Sequence, residues 1–176
     1  MELHDYISNY CKENVVCSYL EIGTREGDSV KNVVINNDNV SAVYCADIWG
    51  SNWGGTGRGS HHHIESLLLS LGYTGEINFL NGDSKQTIPT LHSTHRNYFD
   101  LILVDGDHSY EGGMIDLVNV LPLCKSGGTI LFHDITHHAH LYLEACFDTF
   151  VNNHIESIQS SEKIKYSLGI GVITKK

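Results

Sequence analysis

One stretch limits the fold more than any other: Phe99-Asp100-Leu101-Ile102-Leu103-Val104, a mostly apolar run that breaks at once into Asp105-Gly106-Asp107-His108-Ser109-Tyr110-Glu111-Gly112. Such a run, bounded by a glycine and followed by a helix-like pattern, reads as a buried strand of a parallel sheet. The polar cluster then falls at the carboxyl end of that strand, where open α/β sheets bind their ligands. Two carboxylates and an imidazole within four residues are costly to desolvate unless a cation or hydrogen bonds compensate. The segment therefore predicts a divalent metal and a catalytic base.

The rest of the chain repeats the same alternation. A short amphipathic helix over 1–14 precedes a first strand, Val15 to Gly23, and a turn at Thr24-Arg25-Glu26-Gly27-Asp28-Ser29 opens a helix through about Ile35. A second strand, Val40 to Ala46, ends at Asp47; a glycine-rich loop with two tryptophans covers 49–60, and a helix follows from His61 to Leu71. Glu76 to Leu80 is the third strand, with a helix from Ser84 to about Leu91, and Phe99 to Val104 the fourth. A helix over Tyr110–Leu121 leads through Gly127-Gly128 into a fifth strand, Thr129 to Phe132. A helix from His140 to Asn153 and two extended segments, Ile155–Ser160 and Tyr166–Thr174, close the chain. Alternating strands and helices of this kind predict an α/β layer sandwich, and 176 residues without an internal repeat or linker predict one domain over 1–176.

Each of the first five predicted strands ends at or beside an acid: Glu21, Asp47, Asp83, Asp105 and Asp134. Parallel strands share one carboxyl rim, so the five acids collect on a single edge. Such a rim repels a pyrophosphate and favours a cationic ligand or a metal. The formal net charge of −10, with only 11 Lys and Arg, argues against nucleic acid as a partner. Five cysteines with no C-x-x-C pair suit a reducing compartment, the chain opens without a signal-peptide pattern, and no apolar run is long enough for a membrane span. The expectation is a cytoplasmic protein.

The turn Glu21-Ile22-Gly23-Thr24-Arg25-Glu26-Gly27 is not a G-x-G-x-x-G fingerprint, because it holds two glycines four apart and a glutamate before the second. It is either a plain strand-to-helix turn or the seat of an amino-acid tail beside a sulfonium. Asp47 lies 24 residues beyond Gly23, near the spacing at which an acid takes a ribose diol, a role common to NAD and S-adenosylmethionine sites. Asp83 either accepts from an adenine amino group or caps the helix beside Ser84. Asp107 reads as a turn residue bonding its own backbone. His61-His62-His63 cannot face one ion from a helix, where neighbours point 100° apart; they and His137-His138 are read as exposed or as pocket lining.

Taken together, these residues resemble a class I S-adenosylmethionine-dependent methyltransferase. The segment from Val104 to Gly112, followed by Phe132-His133-Asp134, is similar to the small-molecule O-methyltransferase branch with its macrocin-type, cephamycin-hydroxylase-like and methyltransferase-24-like members. The resemblance implies a Rossmann-like three-layer α/β/α sandwich whose seven-stranded mixed sheet has the order 3-2-1-4-5-7-6, strand 7 antiparallel. It implies S-adenosylmethionine against Glu21, Gly23, Thr24, Gly27, Asp47, Ile48, Asp83, Ser84 and Asp105. It implies a divalent metal, magnesium by family habit, on Asp105, His133 and Asp134, with His108 as the base that deprotonates a hydroxyl. Rival readings are an NAD-dependent enzyme, a metal-dependent hydrolase, and a catalytically silent domain that binds cofactor or partner. The short segment before the first strand leaves the pocket to be completed by the glycine loop or by a second subunit, so a homo-oligomer is a further expectation.

Overall fold

A computed structural model describes residues 1–50 and 59–176, so most of the glycine-rich loop, Trp53 included, lies outside the described residues. Seven strands form one sheet of order β3-β2-β1-β4-β5-β7-β6: β1 (Ser18–Ile22), β2 (Ala42–Asp47), β3 (Glu76–Asn81), β4 (Phe99–Val104), β5 (Cys124–His133), β6 (Ile158–Ile164) and β7 (Ile170–Lys175). The first five are parallel, and β7 runs antiparallel to both β5 and β6. The helices are α1 (Leu3–Glu13), α2 (Asp28–Asn36), α3 (His61–Ser70), α4 (Ser84–Thr87, continued as a 3-10 turn to Leu91), α5 (Tyr110–Val120) and α6 (Leu143–Asn153).

Alternating side chains of the central strands point to opposite faces, and both faces are covered. Tyr19, Val43, Cys45, Leu101, Leu103 and Leu131 pack against Leu3 and Ile7 of α1, Val30 and Val33 of α2, and Ile64 and Leu68 of α3. Leu20, Ile22, Ala46, Ile102, Val104 and Phe132 pack against Ile88, Leu117 of α5, and Leu143 and Phe147 of α6. This is why β4 reads as a nearly continuous apolar run: both of its faces are core. Its one acid, Asp100, sits at the amino end. There it accepts from the N–H groups of Cys17 and Ser18, each at 2.9 Å, and from Lys125 Nζ at 2.6 Å.

Several element boundaries depart from expectation: β1 and β7 start later, at Ser18 and Ile170, β6 runs on to Ile164, and three further boundaries differ as well. The fifth strand begins at Cys124, and Gly127-Gly128 forms an irregularity within its pairing to β4 rather than a turn before it. Residues 155–157 are a 3-10 turn, so the sixth strand starts only at Ile158. The last long helix starts at Leu143, not His140, because the preceding residues are caught in local turns. His137 and His140 donate backbone N–H groups to the carbonyls of Asp134 and His137, and the N–H of Ala139 donates to His137 Nδ1. Side chains that bond nearby backbone compete with helix formation.

One core group works against stability. Asp116 of α5 is fully buried, a Cβ built on Gly106 would lie 3.3 Å from its Oδ2, and neither oxygen has a hydrogen-bond partner among the described residues. Burial raises its pKa to about 6, despite the nearby Ser84 hydroxyl. The unfolded carboxyl titrates near 3.9, so the folded state holds an extra proton between about pH 4 and pH 6. Stability contributed there is lost as pH rises through that window and stays lost above it. Asp116→Asn, which cannot ionise, should stabilise the protein by about 1–3 kcal/mol at pH 7.5 and far less near pH 4. Thermal melts of both proteins at the two pH values check this; an equal shift at both would contradict it.

Candidate active site

Strand order reverses between β1 and β4, so the connections leaving these two strands diverge and open a crevice at their carboxyl ends. Two adjoining cavities of about 390 and 920 Å³ occupy that edge and share Gly23, Arg25, Asp105, His133 and Leu168 as walls. The smaller is lined also by Glu21 and Thr24; the larger by Asp47, Ile48, Asp83, Ser84, His108 and Asp134. All five strand-end acids therefore reach one cleft. Gly27, expected among the cofactor contacts, lines neither cavity. Its φ of +82° makes it the turn before α2, where a Cβ would press on Ile64.

The floor of the cleft is a close approach of two backbones. Gly23 has φ +88°, and a Cβ there would lie 2.1 Å from the carbonyl oxygen of Asp105, so no larger residue fits without moving β1 from β4. Neighbouring backbone groups pin the turn: Gly23 N–H donates to Ala46 O at 2.8 Å, and Asp105 N–H donates to Ile22 O at 2.9 Å. Asp47 is oriented by the N–H groups of Arg25 at 2.8 Å and Trp49 at 2.9 Å, one on each carboxylate oxygen. Each oxygen keeps a second lone pair for a ligand.

Asp83 does cap α4: its Oδ1 accepts from Lys85 N–H at 2.9 Å, while the residue also lines the larger cavity. Asp107 holds the turn expected of it, accepting from Ser109 N–H at 2.9 Å and from Lys85 Nζ at 3.0 Å. A Cβ on Gly112 would overlap its carboxylate, so the glycine is what lets α5 start there.

The densest chemistry lies at the ends of β4 and β5. His108 Nε2 is 3.2 Å from Asp105 Oδ1 and 3.5 Å from Asp134 Oδ2. His133 Nδ1 is 3.2 Å from Asp105 Oδ1 and 3.3 Å from Asp134 Oδ1, yet it forms a well-directed hydrogen bond to neither. Burial would raise the Asp105 carboxyl, but the imidazoles of His108 and His133 override it and hold the group at about 2. Asp105 in turn raises His108. Asp134 adopts φ +62°, a left-handed conformation that a non-glycine residue holds only at a cost of roughly 1 kcal/mol or more. Its side chain is over nine-tenths buried, and its Oδ1 has no hydrogen-bond partner among the described residues.

On the wall of the smaller cavity, the buried atoms Glu21 Oε2 and Thr24 Oγ1 also lack a partner among the described residues. Burial, and then the neighbouring Asp105, push the Glu21 carboxyl well above its ordinary range. Unpaired buried acceptors are expensive, and these three atoms, together with the glycine cradle and the prepared Asp47, form a surface suited to a cationic, hydrogen-bonding ligand. The donor atoms of Asp105, His133 and Asp134 all lie within 4.8 Å of one another, a spacing that one dication can span.

Sequence reasoning missed part of the lining. Leu168, in the β6–β7 connection, forms a wall of both cavities, and an isolated leucine in a loop carries no spacing signal. Glu2, Leu3 and His4 at the start of α1 border the smaller cavity. His140 joins the larger one with its ring centroid 4.4 Å from that of His108, and so does His137, one of the histidines read as exposed or as pocket lining. His61 stacks on Phe79 at 4.1 Å and also meets Trp49, so this part of the triple-histidine tract packs against the sheet edge.

Residues 20–135 match a family model described as a methyltransferase domain. No curated protein sequence gives a significant match. Among solved structures, the O-methyltransferase NovP superposes with a TM-score of 0.74 at 17% identity, over 98% of this chain and 79% of that one. The O-methyltransferase from Bacillus cereus in complex with SAH gives 0.71 at 13% identity, over 98% and 80%. The MycE methyltransferase of the mycinamycin pathway, in complex with Mg and SAH, gives 0.63 at 15% identity, over 97% of this chain and 47% of that one. At such identities the likeness is one of fold. Among the described residues, no helix is long and apolar enough to cross a membrane.

Proposed function

The chain belongs to the methyltransferase-domain family, and from that premise we propose that it transfers the methyl group of S-adenosylmethionine to a hydroxyl of a small molecule, assisted by a divalent cation. The observation that carries this reading is the convergence of five acids on one cleft, with Glu21 and Asp134 presenting buried oxygens that have no partner among the described residues. A sulfonium cofactor and a dication are what such a field attracts. The net charge of −10 and the acidic rim weigh against a polyanionic acceptor.

Each residue has a task that its position allows. Glu21 and Thr24 face the smaller cavity and hold the amino-acid end of the cofactor; Gly23 lets that end approach the backbone. Asp47 accepts from the ribose hydroxyls, and Ile48, Asp83 and Ser84 border the base. The chemistry the cofactor supplies is a methyl on a positive sulfur, delivered in line to a nucleophile; the chemistry the cation supplies is a lowered pKa for a hydroxyl it touches. Asp105, His133 and Asp134 hold that cation. His108 Nε2, within 3.5 Å of both acids, carries the N–H that faces them, so the ring takes the hydroxyl proton at Nδ1, and Asp105 stabilises the imidazolium that results.

Calorimetry with S-adenosylhomocysteine and with NAD tests the cofactor assignment. We expect heat with the first and none with the second, because the rim opposes a pyrophosphate. Binding of NAD alone would sink the proposal. Binding of S-adenosylhomocysteine without turnover of any hydroxylated acceptor, with or without metal, would favour a silent binding domain.

A further inference from the structure

Resting on the proposed metal-assisted reading, we infer that the dication held at the ends of β4 and β5 is a first-row transition ion of the manganese-to-zinc series rather than magnesium, ligated by Asp105, His133 and Asp134. The argument is one of donor chemistry. Magnesium wants a near-octahedral shell of oxygens and keeps several waters, whereas imidazole suits the transition dications. The three-residue set here contains one imidazole nitrogen, His133 Nδ1. It is mostly buried, lies 3.2 and 3.3 Å from its two carboxylate partners, and makes no directed hydrogen bond among the described residues.

Asp134 supplies the independent pointer to a ligand. Its carboxylate is over nine-tenths buried, Oδ1 faces this group of atoms without a hydrogen-bond partner among the described residues, and the left-handed backbone fixes its direction. Rotating His133 away would leave the carboxylates of Asp105 and Asp134, a pair that magnesium can use with water, so the ion preference is carried by His133 Nδ1. A second set, His108, Asp134 and His140, brings its donor atoms within 4.8 Å of one another on the other side of the same carboxylate. In both sets an ion at Asp134 meets nitrogen.

The test compares Mg²⁺, Mn²⁺, Co²⁺, Ni²⁺ and Zn²⁺ on the full chain by calorimetry and thermal shift, with the visible absorption of the Co²⁺ form as a spectroscopic readout of nitrogen ligation. The wild type should bind Ni²⁺ or Zn²⁺ at least ~100-fold more tightly than Mg²⁺. His133→Asp should cut that ratio at least ~10-fold and alter the Co²⁺ spectrum. His133→Asn, closer in charge and polarity to a neutral imidazole, should do the same and covers the case in which the aspartate variant fails to fold. Surface histidines such as His62 and His63 also take transition ions, so His62→Gln serves as the control that must leave the ratio unchanged. Equal or tighter Mg²⁺ binding by the wild type, or an unchanged ratio in both His133 variants, would overturn the inference. S-adenosylhomocysteine calorimetry on the same samples reports separately on the methyltransferase reading, which can fail while the ion preference stands.

Discussion

Gly23→Ala is expected to destabilise the fold by about 3 kcal/mol or more, which for a chain of this length lowers Tm by roughly 6–12 °C. Two costs add. Alanine at φ +88° pays the left-handed penalty of roughly 1–2 kcal/mol. The new methyl would also sit 2.1 Å from the Asp105 carbonyl oxygen and 2.7 Å from its carbon, so β1 and β4 must part at the point where the cleft begins. Gly127→Ala isolates the first cost, since Gly127 has φ +76° and nothing within 4 Å of an added Cβ. Urea unfolding of both variants should give about 1 kcal/mol for Gly127→Ala and the larger figure for Gly23→Ala. Equal losses would show that the backbones at the crevice can relax, and the cradle would no longer explain the glycine. The same displacement moves Asp105 and the Thr24 turn, so affinity for S-adenosylhomocysteine should fall with stability in the Gly23 variant and stay constant in the other.

His108→Gln is expected to lower kcat for methyl transfer by about 10²- to 10⁴-fold, the usual contribution of a positioned general base. Glutamine keeps a polar group opposite Asp105 Oδ1, now 3.2 Å from the imidazole, but cannot carry the proton away. S-adenosylhomocysteine affinity should change by less than about twofold, and KM for the acceptor should move far less than kcat, the pattern of an interaction used only in the transition state. Ion affinity in this variant separates the base from a ligand: a base leaves it in place. Retention of more than about a tenth of the activity would remove His108 from the proton-transfer step. His140, whose ring lies beside that of His108 and whose donor atom lies within 4.8 Å of the Asp134 carboxylate, should tolerate glutamine with a smaller loss.

What could be read from sequence, and what could not, follows from the range of the forces involved. The strand Phe99–Val104 was legible to the residue because both of its faces are core and its end is marked by Asp105 and Gly106. The turn role of Asp107 was legible, and capping was one of the two roles open to Asp83, because these are local bonds within two residues. The start of α6 was misjudged, since helical spacing over His140–Tyr142 lost to turns that bond His137 and Asp134. The early start of β5 escaped for a different reason: its pairing to Phe99 is made 25 residues away.

By itself, the order of residues determined that this chain would alternate buried strands with amphipathic helices and place its acids at strand ends, because burial and hydrogen bonding along a segment depend on that segment's own pattern. Only the tertiary structure decided that five acids face a single cleft, that His108 and His133 each come within 3.5 Å of both Asp105 and Asp134, that Leu168 walls both cavities, and that Gly27 lines neither. The reason is geometric: charge and imidazole become a site only when sheet pairing brings strands β4 and β5 side by side, and that pairing is written in no single stretch of chain.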